Sequence, residues 1–250
     1  MSVKIIGNGI VGTNMAKLFP EAYIHDPPKG HICNIKTDIA IICVPTEMKS
    51  DGSADISIVE KVIMENEADV FFIKSAVPPG TTDMLIKKYG KRICVSPEYF
   101  GSTIHANNVD YDFLIIGGQK KDCNVIIKEY KKIKHPNFKI YITSTKTAEL
   151  CKYMENTWLA FKVTFCNEFY RIAQHCEVDY NELRELWLAD PRINRSHTFV
   201  YEDKPFYDSH CLNKDIPAII AFCETIKYNP TLLRQMHLTN KRFKGEKSCQ

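Results

Sequence analysis

The chain has 250 residues, 44% of them hydrophobic and 25% charged, with a formal charge of +3. That composition belongs to a folded globular protein of one large domain or two smaller ones, and it excludes the disordered class. Basic residues are scattered, with the one dense run in the terminal "NKRFKGEK". Neither a nucleic-acid nor a membrane partner is expected.

No signal-peptide pattern opens the chain, because "MSVKIIGNGIVG" runs directly into a strand. No apolar stretch reaches the ~20 residues that a membrane helix needs. A cytoplasmic protein with reduced thiols is expected. The cysteines form no CxxC pair and no Cys/His spacing typical of zinc, so no metal site is expected. Roughly seven or eight of them read as small core hydrophobes. Cys33, Cys43 and Cys94, among β-branched neighbours, are examples.

Along the first half, short apolar runs read as strands at Val3–Ile6, Ala22–His25, Asp38–Val44, Asp69–Lys74, Arg92–Ser96 and Phe113–Gly118. Several are apolar on both alternating positions, as strands covered on both faces are. Helical segments such as Val11–Phe19 and Ile56–Asn66 fall between them. This alternation predicts an α/β domain, a Rossmann-type doubly wound and mostly parallel sheet, over residues 1–145.

After "KIYITS" the pattern changes. From Thr147 to about Cys176 there is neither proline nor glycine, and Leu150, Met154, Leu159, Val163, Cys166, Phe169 and Ile172 recur at helical spacing. Further helices are expected at Tyr180–Leu188, Cys211–Lys227 and Thr231–Leu238. An all-helical domain with one long connecting helix is therefore expected over 146–240, followed by a polar tail, 241–250.

"GNGIVG" places Gly7, Gly9 and Gly12 between a strand and a helix. In such a turn the first glycine permits the tight bend and the second lets a pyrophosphate approach the backbone. The third lets helix and strand pack closely, while the helix start offers free N–H groups. The next strand ends in "IHD", with Asp26 about 20 residues on, where a carboxylate accepts from adenosine ribose hydroxyls and repels a 2′-phosphate. NAD is the cofactor these residues predict.

"DIAIICVPTEMKSDGSADIS", "IKSAVPPGTTD", "ICVSPEYFGS" and "AELCKYMENTWLAFKVTFCNEF" follow in that order. Together with the glycine turn they resemble the UDP-glucose/GDP-mannose dehydrogenase family from Val3 to about Ile220. That family joins a Rossmann domain to a long-helix central domain and usually adds a second Rossmann-like domain, so a shortened form is expected. The resemblance implies oxidation of a nucleotide sugar's primary alcohol to a carboxylate with two NAD, through a cysteine thiohemiacetal and thioester. It also implies a place in polysaccharide biosynthesis. Cofactor contacts are implied at Val44, Thr46 and Ser75, beside Gly7, Gly9, Ile10, Val11, Gly12 and Asp26.

"DSHCLNKD" falls where the family carries Cys-x-x-Lys-Asp, which makes Cys211 the implied nucleophile. Placed before an apolar helical run, it could occupy a helix N-terminus, where thiolates are favoured. Asp215, four residues on, is implied to hold a water or base. Lys152 and Asn156 are implied to stabilise an oxyanion, and Glu98 to serve as general base for hydrolysis. Arg192 of "ADPRIN" resembles a segment that reaches the partner's substrate in a dimer. Trp158, Phe161, Phe165 and Phe169 exceed what one helix face needs, so a homodimer through the long helix is expected.

The family pattern is broken at Ala76, where a threonine is usual, at Ser102, where a glutamate is common, and at "YEDKPFYDSH", which replaces a glycine-rich loop. Two alternatives stay open: a two-electron dehydrogenase of a smaller hydroxy substrate, and a non-catalytic NAD- or partner-binding protein on the same fold.

Overall fold

The computed structural model describes residues 1–100 and 111–247. Ser102 lies outside the described residues. Seven strands, β1 Val3–Ile6, β2 Tyr23–His25, β3 Thr37–Ile42, β4 Ala68–Ile73, β5 Ile93–Val95, β6 Phe113–Gly117 and β7 Lys139–Thr143, form one sheet. Their order is β2-β1-β3-β4-β5-β6-β7, parallel throughout except at β5–β6. The chain moves outward from β1 to β2 and then crosses to β3 on the other side. This reversal leaves a crevice beyond the carboxyl ends of β1 and β3, where open α/β sheets bind ligands.

The central strands, apolar on both faces, meet two layers of helix. Ile5, Ile39, Ile41, Val70 and Phe72 form one core with Met15 of α1 (Ile10–Leu18) and with Cys123, Ile126 and Tyr130 of α4 (Lys120–Ile133). Ile6, Ala40, Ile42, Phe71 and Ile73 form the other with Val59 and Ile63 of α2 (Ser57–Glu65) and Leu85 of α3 (Thr81–Tyr89). The period of two thus sorts successive residues to opposite covered faces. β7 is absent from the strands read in the sequence although "KIYIT" carries three apolar residues; at the sheet edge its residues are largely exposed.

The long helix α5, Thr145–His175, is followed by α6 (Tyr180–Trp187), α7 (His210–Thr225) and α8 (Thr231–Lys247). Ser144 Oγ accepts from Thr147 N at 3.1 Å and so caps α5. α8 runs well past Leu238, through the segment that the sequence suggests is a polar tail. Phe243 accounts for the difference: it is fully buried, with the Arg171 guanidinium 3.6 Å from its ring centroid.

The described residues fall into two compact units, Met1–Lys49 with Ala54–Lys152, and Ser50–Ser53 with Tyr153 onward. The division runs through α5. Among the described residues no helix is long and apolar enough to cross a membrane.

Candidate active site

In the first unit the glycine turn has the geometry its sequence predicts. Gly7 has φ +90°, and a Cβ there would stand 2.7 Å from the Cys43 carbonyl oxygen. A Cβ on Gly12 would stand 1.9 Å from Gly7 O, so no larger residue fits between α1 and β1. Gly9 differs: its φ is −81° and an added Cβ would meet nothing within 4 Å. Neither strain nor packing requires glycine at Gly9, which fits a bare backbone approached by a phosphate. α1 has no side-chain cap and no acidic residue in its first turn, so the N–H groups around Ile10 and Val11 suit an anion.

Asp26 lies directly after β2, where Oδ2 accepts from Asn8 N at 2.7 Å. One carboxylate oxygen thus braces the glycine turn. Thr46 Oγ1 donates to Ala76 O at 2.7 Å, and Ser75 Oγ donates to Val44 O at the same distance. These two bonds tie the segments leaving β3 and β4 together at the crevice. The set fits a dinucleotide.

A tight cavity in the same unit is walled in part by Ser75, Ala76, Glu98, Glu149 and Lys152. The fold therefore brings Glu98 and Lys152 to one place, together with Ala76. The Lys152 ammonium sits 5.5 Å from the Tyr99 ring centroid. Glu149 Oε1 and Oε2 accept from Thr82 N and Gly80 N at 2.7 and 2.5 Å, so this carboxylate caps α3. Burial raises the Glu149 pKa against those bonds.

Glu98 is 7% exposed and has a partner that sequence reasoning missed. Oε1 accepts from Tyr99 N and Phe100 N at 2.8 and 2.9 Å. Lys74 Nζ, also buried, lies 3.0 Å from Oε2. This ion contact is off hydrogen-bond alignment, for Oε2 accepts no aligned bond among the described residues. The aligned bonds of Lys74 go to Ser96 Oγ and Pro97 O, both at 3.1 Å. Burial, then the Glu98 charge, pushes the neighbouring Cys43 thiol far up, so that it stays neutral. A lone lysine closing the apolar run "DVFFIK" was the available signal.

The second unit holds the other candidates. Cys211 is exposed and stands second in α7, whose N-cap Ser209 accepts from Leu212 N. Asp215, one turn on and 2% exposed, has both oxygens engaged. Oδ2 accepts from Asn156 Nδ2 at 2.5 Å, and Oδ1 from Lys214 Nζ at 2.6 Å. Lys214 is the lysine of the Cys-x-x-Lys-Asp pattern, to which the sequence alone gave no task. Asn156 thus contacts the aspartate of α7 as well as sharing α5 with Lys152.

The segment before Cys211 is anchored by polar contacts. Tyr207 N donates to Asn240 Oδ1 at 2.8 Å, and Asn240 Nδ2 donates to Tyr207 O at 3.0 Å. Asp208 accepts from Lys244 Nζ and Asn213 Nδ2, and these bonds lower its pKa. Arg192 is held by its neighbour Asp190, 3.0 Å from Nε. Among the described thiols, Cys43, Cys94, Cys123, Cys166 and Cys223 are buried, whereas Cys33 and Cys151 are half-buried and Cys176 is exposed like Cys211. Fewer of the described thiols are core residues than expected, and Cys33 is not one because it lies in the connection to β3 rather than in a strand.

Comparison with known proteins agrees with this anatomy. Residues 33–134 match the NAD binding domain of the UDP-glucose/GDP-mannose dehydrogenase family, and residues 146–242 match that family's central domain. A UDP-N-acetyl-D-mannosamine dehydrogenase of Methanocaldococcus jannaschii is 33% identical over 194 residues, 72% of this chain and 44% of that protein. A GDP-mannose 6-dehydrogenase of Pseudomonas aeruginosa is 30% identical over 208 residues, 74% and 46% of the two chains. The chain spans about half the length of these curated relatives. In fold it is similar to a UDP-glucose dehydrogenase structure from Pyrobaculum islandicum, with TM-score 0.80 and 22% identity over 96% of this chain and 68% of that one.

Proposed function

The chain belongs to the UDP-glucose/GDP-mannose dehydrogenase family, and on that premise we propose that it oxidises the primary alcohol of a nucleotide sugar to the carboxylate. NAD, the cofactor of its N-terminal domain, would supply the hydride acceptor. Gly7, Gly9 and Gly12, with the N–H groups of Ile10 and Val11, are the residues to hold its pyrophosphate. Asp26 would take the ribose, and Val44, Thr46 and Ser75 would shape the crevice.

The covalent work falls to Cys211. Its thiolate adds to the aldehyde carbon, forming a C–S bond while the carbonyl oxygen becomes an oxyanion. Lys152 and Asn156 supply the cation and the neutral donor for that oxygen. Once the adduct is oxidised to a thioester, Glu98 takes a proton from water as the water oxygen bonds to the acyl carbon. The C–S bond breaks and Cys211 leaves as thiolate. Asp215 steadies Asn156 and would hold a water or base near the reacting carbon. A free thiol in this role suits a reducing compartment such as the cytoplasm.

The observation that carries the reading is the buried Asn156–Asp215 hydrogen bond, made across 59 positions, one helical turn from an exposed Cys211. A buried polar pair is weak evidence for stability, and here it fixes the helix turn that carries the thiol. The test is NADH release with UDP-glucose, GDP-mannose and UDP-N-acetylmannosamine. Two NADH per sugar are expected, with turnover lost in Cys211→Ala; an active Cys211→Ala would remove the covalent mechanism.

One observation favours a second reading. Ala76 shares a cavity wall with Glu98 and Lys152 and brings no hydroxyl. A dehydrogenase that stops after one hydride would release a single NADH per substrate and be insensitive to thiol alkylation.

We also assign a homodimer to α5. Trp158, Phe165 and Phe169 remain exposed, with Phe161 stacked 5.9 Å from Trp158 and 6.3 Å from Phe165. An apolar helix stripe of this kind is the usual mark of a protein contact.

A further inference from the structure

β4 and β5 pair in parallel with Ile73 opposite Val95, so the residues leaving the two strands, Lys74 and Ser96, emerge side by side. The sheet register therefore delivers a lysine to the start of the segment that carries Glu98. We propose that Lys74 is the positioning residue of Glu98: it sets a cation against that buried carboxylate and fixes the direction of Oε2. This rests on the proposed function, in which Glu98 takes the proton of the hydrolytic water.

Three observations support the assignment. Both groups are almost fully buried, Lys74 at 6% and Glu98 at 7% exposure. Burying a carboxylate is costly unless a cation stands against it. Lys74 supplies that cation 3.0 Å from Oε2.

The division of hydrogen bonds is the second observation. Lys74 donates to Ser96 Oγ and Pro97 O, the two residues before Glu98, and so fixes the backbone that carries it. Oε1 is fixed from the other side by Tyr99 N and Phe100 N. Third, the lysine meets Oε2 off alignment, so this oxygen receives charge compensation without an aligned donor on its lone pair. Oε2 is then the acceptor for a water proton. An ammonium aligned on Oε2 would compete with that water.

The test uses the full chain with NAD and the probes UDP-glucose and GDP-mannose. It compares Lys74→Met, Lys74→Arg, Glu98→Gln and the double variant Lys74→Met/Glu98→Gln. A positioned base contributes roughly 10²-fold or more, so Lys74→Met and Glu98→Gln should each lower steady turnover on the order of 10²-fold. The first burst of NADH should survive, and Cys211 should accumulate an acyl adduct visible by intact mass. Lys74→Arg, which keeps the charge but not the point geometry, should recover part of the loss.

The double variant should be no slower than Glu98→Gln, because a residue acting through Glu98 has nothing left to act on. It removes both buried charges together, so it keeps the comparison available if Lys74→Met fails to fold. Lys74→Met turning over like the parent chain would overturn the assignment. So would a burst slowed as much as the steady rate, or a double variant slower again than Glu98→Gln. A parent chain inactive on these two sugars and on UDP-N-acetylmannosamine would instead sink the proposed function itself, an outcome told apart by the unmutated arm.

Discussion

Asn156 Nδ2 donates to Asp215 Oδ2 at 2.5 Å, joining α5 to α7 at a point where both side chains are buried. The bond sets where the first turn of α7, and Cys211 within it, stands relative to Tyr153 and the residues that follow it on α5. Asn156→Ala leaves a buried carboxylate short of a donor, which costs about 2 kcal/mol. Urea unfolding should show that loss in midpoint with an unchanged slope. A variant as stable as the parent would mean that the pair contributes nothing to the fold.

The three glycines of the turn should separate by experiment. Gly12→Ala forces a Cβ to 1.9 Å from Gly7 O and should prevent folding or shift the thermal midpoint by many degrees. Gly9→Ala meets no protein atom and should change stability by less than about 0.5 kcal/mol. Its methyl faces the approach to the turn, so NAD affinity by calorimetry should fall by about tenfold or more, a 1.4 kcal/mol loss. Unchanged affinity in Gly9→Ala would place the pyrophosphate elsewhere.

Acid should weaken the second unit before the carboxylates are protonated. Burial lowers the pKa of the half-buried His237, with Lys241 adding to the effect. Above the unfolded value of about 6.5 the ring is neutral in both states and pH has no leverage. As pH falls below that, the unfolded chain binds a proton that the folded chain refuses, and stability drops until the lowered folded value is passed. The slope is at most about 1.4 kcal/mol per pH unit. Denaturation between pH 7.5 and 5 should show it, and His237→Gln should flatten it. A flat profile in the parent chain would mean that this ring charges freely when folded.

The aromatic stripe on α5 sets a prediction for assembly. Phe169→Glu places a charge 4.7 Å from where the Phe165 ring centroid now meets it, on a half-exposed surface. The fold should tolerate the change, while the dimer should dissociate in sedimentation at micromolar concentration. A parent chain that sediments as a monomer would leave the stripe without the role assigned to it.

Sequence alone determined the features that arise from local spacing. The alternation of short apolar runs with helical segments was enough for the mostly parallel sheet. The unbroken span from Thr147 was enough for α5, and the spacing of Gly7, Gly9 and Gly12 was enough for the turn. Each depends on residues close in the chain whose periodicity or backbone freedom is written in their order. β7 was passed over although "KIYIT" carries three apolar residues, and the helical end of α8 because one phenylalanine outweighs six mostly polar neighbours only when its burial is known.

Tertiary structure alone decided which charges meet. Lys74 and Glu98 are paired by the register of β4 on β5, Asn156 and Asp215 by the packing of α5 on α7. Burial was decided in the same way, separating the exposed Cys211 from the buried Cys94 and Cys123. The reason is physical: Coulomb and desolvation energies depend on distance and solvent access, and neither quantity exists until distant segments have been brought together.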